Sequence, residues 1–195
     1  SAAQVLAEAC LRTARRHEFV PMPGYTHMQR AMPSSIGLWM GSWATAFWRD
    51  SFLILRKHEN PLGSGSGYGT LVPADRRYAA RLLGLAATAL NVLYTQPSRG
   101  KLELDALHAM GQVLLDCNRL ATDCLLFSTA EFGFVRLPAS MTTGSSLMPN
   151  KRNADVWELI RAAYPLHLGD QTALASVQAN LPSGYNRDLQ VTKGL

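Results

Sequence analysis

Apolar residues recur at helical intervals through most of the chain, and Pro and Gly punctuate the runs. Val5, Leu6, Ala9, Leu11 and Ala14 give one apolar side to a helix that ends near Glu18, with Arg12, Arg15 and Arg16 toward its C-terminus. Pro21, Pro23 and Gly24 break it, and together with Pro33 they fix the path of a loop through Tyr25 to Arg30. Ser34 or Ser35 caps a second helix, expected to run to about His58. Its apolar residues, from Ile36 through Trp39, Trp43, Phe47 and Phe52 to Ile54 and Leu55, occupy nearly every face, so it needs neighbours on all sides. Asn60 to Thr70 reads as a connection containing Gly63, Gly65, Gly67 and Gly69, and Asp75 opens a helix to about Tyr94. After a break at Gln96 to Gly100, a long helix is expected from Lys101 to Glu131 and a last one from Arg152 to Asn180, kinked or interrupted at Pro165. No useful β-alternation is present. The fold class this predicts is all-α: a bundle of long helices whose core is completed by other subunits.

Composition narrows the possibilities. The net charge of +5 is modest and the basic residues are scattered, apart from Arg12, Arg15 and Arg16 and the Arg76–Arg77 pair. No basic stripe is interleaved with aromatics, which argues against nucleic acid, whereas a small anionic substrate suits the positive balance. Cys10, Cys117 and Cys124 are odd in number and lack C-x-x-C spacing, so they read as reduced core cysteines of a cytoplasmic protein. The longest uncharged run, between Arg30 and Arg49, contains Pro33, Ser34 and Ser35, and its apolar part is too short to cross a bilayer, so no membrane partner is expected. The glycines at 63–69 follow no strand and precede no Gly-Lys-Ser/Thr, which rules out a phosphate-binding loop.

The chemistry concentrates in Thr143-Gly144-Ser145-Ser146-Leu147-Met148-Pro149-Asn150-Lys151-Arg152-Asn153. A hydroxyl-rich loop leading into a helix sets backbone N–H groups and a positive dipole end beside mobile hydroxyls, an arrangement suited to a carboxylate or an oxyanion. This stretch resembles the signature loop of the fumarase/aspartase superfamily, whose members make fumarate by β-elimination. Pro23-Gly24-Tyr25-Thr26-His27-Met28-Gln29-Arg30-Ala31 and Ser183-Gly184-Tyr185-Asn186-Arg187-Asp188-Leu189-Gln190 resemble the argininosuccinate lyase branch, and the likeness runs from about His17 to Leu195. It implies a carbon–nitrogen lyase that forms fumarate and arginine from argininosuccinate with no metal or organic cofactor, as a cytoplasmic homotetramer.

The resemblance assigns Ser145 as the base, Lys151 and Asn153 as the grip on a substrate carboxylate, and His27 to the acid side with Glu158 as its carboxylate partner from another subunit. It adds Thr26, and Tyr185, Gln190 and Lys193 at offsets zero, five and eight, as substrate contacts. An ammonium and an amide can hold the aci-carboxylate of the transition state, and a carboxylate beside an imidazole fixes its tautomer. By the same likeness, residues 1–195 form the family's central helical-bundle domain, without its N-terminal region and C-terminal end, and are expected to be inactive alone. Two departures stand out. Ala154 replaces the usual Pro after the Asn, and Tyr94 to Lys101 lacks the family's acidic stretch. Another lyase of N-substituted aspartates and a non-catalytic homologue are the alternatives.

Overall fold

The computed structural model describes residues 1–54 and 58–194, so the expected helix end between Leu55 and His58 falls largely outside the described residues. Five helices dominate: α1 (Ala2–Arg16), α2 (Ile36–Ile54), α3 (Arg76–Leu82), α4 (Lys101–Phe127) and α5 (Asp155–Gln178). Two small two-stranded sheets accompany them, an antiparallel pair of β1 (Pro21–Thr26) and β2 (Gln29–Ser35) and a parallel pair of β3 (Glu59–Asn60) and β4 (Ala87–Thr88). The all-α expectation is therefore corrected to a mainly helical fold with minor sheet. The chain divides into two compact units, one of residues 1–53 and 111–166, the other of 54–110 and 167–195.

In the first unit α1 and α2 pack closely. α1 buries Ala3, Ala7, Cys10 and Ala14, not the larger Val5, Leu6 and Leu11, which stay exposed. Small residues win that face because the helices approach tightly: Ala7 and Cys10 meet Ala44 and Phe47, and a Cβ on Gly37 would lie 3.1 Å from the Ala14 carbonyl oxygen. Val113, Cys117 and Leu120 of α4 complete this core. Ser35 caps α2 by accepting from the Leu38 N–H at 3.0 Å. α2 buries Ala44, Phe47 and Ser51 but leaves Leu38, Trp48, Phe52 and Leu53 exposed in the single chain.

The segment expected as a loop from Tyr25 to Arg30 is a β-hairpin. Pro21 pairs with Ser35, Met22 with Ser34 and Thr26 with Gln29, closed by a two-residue turn in which His27 and Met28 have φ of 52° and 58°. Two positive φ values in succession are the geometry that matches strand twist in a tight hairpin. Its prolines hid it from the pattern, yet a ribbon whose strands are both edges tolerates missing N–H groups. Tyr25 anchors it on an aromatic cluster, 5.3 Å from Phe132, with Phe127 and Trp39 edge-to-face, 5.4 Å apart, beyond.

α5 continues through Pro165 instead of ending its first half there. A proline cannot bond the carbonyl four residues back, which is that of Arg161. The Asn118 side-chain amide of α4 donates to that oxygen at 2.5 Å and so replaces the lost bond.

In the second unit Asp75 caps α3 as expected, accepting from the Tyr78 N–H, but the helix stops at Leu82 and not near Tyr94. Gly84 adopts φ 65° and the Leu85 N–H reaches back to the Ala80 carbonyl, a left-handed helix stop. Arg76 then locks the surrounding loops, donating to the Leu62 and Ala89 carbonyls and to Ser64 Oγ. Gln171 and His167 of α5 both bond the Leu107 carbonyl of α4. Among the described residues, no helix is long and apolar enough to cross a membrane.

Candidate active site

Two backbone hydrogen bonds pin the neck of the loop expected to carry the base. Thr143 N–H donates to the Asn153 carbonyl at 3.1 Å and Asn153 N–H to the Thr143 carbonyl at 2.9 Å, an isolated antiparallel bridge. The Asn153 amide adds longer bonds of 3.4 Å to Thr143 Oγ1 and the Gly144 carbonyl. Within this closed loop, Ser145 is half-buried and its Oγ accepts two backbone N–H groups, from Leu147 at 3.3 Å and Met148 at 3.2 Å. A serine side chain bonding the backbone two and three residues on is a local turn. Here it also aims two fixed dipoles at the oxygen that must bear charge if Ser145 takes a proton. Donors to the charged form favour that form.

Arg152 reinforces the positive field, since a Cβ on Gly144 would stand 3.5 Å from Arg152 Nη1. Lys151 is exposed, its N–H tied to the Met148 carbonyl at 3.0 Å. Glu158 lies exposed in the first turn of α5. Backbone N–H groups near the hydroxyls were expected, but the bridge, and the assignment of the donors to Leu147 and Met148, escaped the sequence reading because backbone groups carry no residue signature. The spacing of Ser145 to Leu147 and Met148 was the available signal.

Thr26 and His27 are exposed at the hairpin tip. His27 borders a concavity of about 420 Å³ lined by Tyr25, Met28, Trp39 and Asp123, where Trp39 Nε1 donates to Asp123 at 3.0 Å. Ser145, Lys151 and Glu158 do not line it. Among the described residues, no hydrogen bond or ion pair joins His27 to Glu158 within the chain. One chain therefore assembles the Ser145 loop but leaves the expected acid side apart from it.

In the second unit, Tyr185 and Gln190 meet: Gln190 Nε2 donates to the Tyr185 hydroxyl at 2.7 Å. Lys193 is exposed in the last turn of a short 3-10 helix, Asp188–Gly194. Among the described residues, no group of three or more His, Cys, Asp or Glu is placed to hold a metal ion. Burial lifts the Cys117 thiol to about 11 and the Cys124 thiol to about 12, as befits core cysteines and not reactive thiolates.

A lyase family profile (Lyase_1) matches residues 1–164, which include the hairpin and the whole Ser145 loop. The chain belongs to that family. Over 193 residues it is 47% identical to the argininosuccinate lyase of Stenotrophomonas maltophilia, covering 97% of this chain and 44% of that protein. The argininosuccinate lyase of Xanthomonas axonopodis pv. citri gives the same figures. The chain thus spans less than half the length of the curated relatives it matches. Among solved structures, an EDDS lyase variant with bound fumarate superposes with a TM-score of 0.87 at 24% identity, over 96% of this chain and 38% of that one. A fumarate lyase:delta crystallin from Brucella melitensis, bound to cobalt, gives 0.80 at 20% identity over 97% and 44%. These likenesses establish the lyase fold in this family member.

Proposed function

We propose that the protein is an argininosuccinate lyase, eliminating fumarate from argininosuccinate and releasing arginine. Its main support is 47% identity to argininosuccinate lyases over nearly all of this chain. Ser145, held by the Leu147 and Met148 N–H groups, removes the proton next to the substrate carboxylate. Lys151 meets the negative charge that grows on that carboxylate, and Asn153 orients it, the developing charge being where fixed donors are worth most. His27, paired with Glu158 from another copy, serves the leaving nitrogen as the acid. Thr26, Tyr185, Gln190 and Lys193 contact the rest of the substrate.

The enzyme works as a homotetramer, because a single chain leaves His27 outside the Ser145 loop and leaves wide apolar helix faces uncovered. Its place is cytoplasmic, in arginine biosynthesis. The test follows fumarate absorbance on adding argininosuccinate to the intact protein. Steady fumarate release is expected. No release, together with turnover of a different aspartate adduct, would shift the assignment to another carbon–nitrogen lyase, the reading that Ala154 and the altered 94–101 segment favour.

A further inference from the structure

The segment from Tyr94 to Lys101, which departs from the family pattern, ties together two parts of the second unit. On one side Gln96 Nε2 donates to the Gly65 carbonyl at 3.3 Å, inside the glycine-rich connection. That connection packs on the turn before Tyr185: a Cβ on Gly184 would stand 3.7 Å from the Tyr68 ring, and one on Gly67 would stand 4.0 Å from Gly184 Cα. On the other side Arg99 lies over the Tyr185 ring, its guanidinium carbon 4.9 Å from the centroid, and Nη1 donates to the Asn186 carbonyl at 3.4 Å. Asn186 in turn closes its own turn, donating to the Pro182 carbonyl at 2.8 Å and the Gly184 carbonyl at 3.2 Å. With Gln190 on its hydroxyl at 2.7 Å, the Tyr185 phenol is fixed at its face and at its tip.

We propose that Arg99 is a positioning residue, which holds the Tyr185–Gln190 pair in the orientation that meets the substrate. The inference rests on the reading of Tyr185 and Gln190 as substrate contacts. A planar guanidinium both stacks on the ring and reaches the neighbouring carbonyl, and Lys can do only the first. Removing the cation frees the phenol and leaves the bridge and the two N–H donors of the Ser145 loop in place, so binding weakens while the chemical step persists.

The test uses the intact protein and its argininosuccinate kinetics. Arg99→Gln should raise KM about tenfold with kcat changed less than about threefold, and Arg99→Lys should fall between Arg99→Gln and the parent. In a Tyr185→Leu background Arg99→Gln should add nothing, because the pair acts as one unit. No rise in KM with either variant, or an equal rise in the Tyr185→Leu background, overturns the proposal. If Arg99→Gln does not fold, Arg99→Lys decides alone: raised KM at unchanged kcat supports it, unchanged KM overturns it. If the parent protein does not turn over argininosuccinate, the functional reading fails separately. Arg99 is then judged by the fluorine resonance of 3-fluorotyrosine placed at position 185, which must move in Arg99→Lys and, if it stays, overturns the proposal.

Discussion

The Ser145 loop and the helical faces of the same unit solve opposite problems. The loop is exposed, yet its neck is bridged at Thr143 and Asn153 and Ser145 Oγ takes two N–H groups. The helices are the regular part of the fold, yet they are incomplete on their own. Leu159 and Leu166 of α5 and Leu38 and Phe52 of α2 stand more than half exposed, while Trp43 Nε1, Asp50 Oδ2 and Trp157 Nε1 are buried with no hydrogen-bond partner among the described residues. Large uncovered apolar residues on several helices are the surface that the proposed oligomer would bury. The local geometry around Ser145 is thus encoded within eleven residues, and under the proposed function the other residues of the site come from a second chain.

The oxygen around which the loop is closed can be removed directly. Ser145→Ala should lower kcat by roughly a thousandfold or more while fumarate still binds. A loss below about tenfold, roughly 1.4 kcal/mol of barrier, would take Ser145 out of the base role. Next comes the neck. Asn153→Ala keeps the backbone bridge but deletes both amide bonds, and kcat should fall by roughly ten- to a hundredfold with little change in melting temperature. A fall in thermal stability at constant kcat would make Asn153 a loop brace and nothing more.

Much of the helical frame was legible because apolar periodicity, the Ser35 and Asp75 caps and the Pro and Gly breaks all pointed the same way. The hairpin was not, since Pro21, Pro23 and Pro33 look like loop residues until the strands are seen to pair only with each other. The apolar run after Leu82 extended α3 on paper, but Gly84 stops it and Asn91 takes over as a side-chain turn, accepting from the Leu93 and Tyr94 N–H groups. The stripe of α1 was misassigned because helix proximity at Gly37 rewards small residues over large ones. Of the candidate residues, those at 145, 151, 153, 185 and 190 belong to the stretches that carry the family resemblance. The donors at Leu147 and Met148 and the Arg99 stack depend on three-dimensional placement.

On the helical faces Leu166 of α5 is 73% exposed. Leu166→Asp should leave the monomer's helix content intact but, if the proposed tetramer forms through this face, shift sedimentation toward smaller species, because a charge in an apolar contact must be desolvated. Unaltered sedimentation would remove this face from the interface.

A smaller effect is expected at the half-buried carboxyls Asp50 of α2 and Asp116 of α4. Burial pushes Asp50 up from 3.8 to about 6, and the Asp116 charge facing it pushes the same way. Burial raises Asp116 as well, against the pull of Arg119. Cys117 shares this environment, and its thiol is raised by burial and by both carboxylates. Because the folded-state value of Asp50 lies above the ordinary one, the fold prefers its neutral form. The associated stability is complete below about pH 4 and is lost as pH rises through 6. Asp50→Asn is neutral at every pH, so it should melt a few degrees above the parent at pH 7.5, and the gap should close as pH falls toward 4. A gap of the same size at both ends would mean that the gain came from the amide's own hydrogen bonds, and not from relief of a charge held among Asp116, Cys117 and the apolar faces around them.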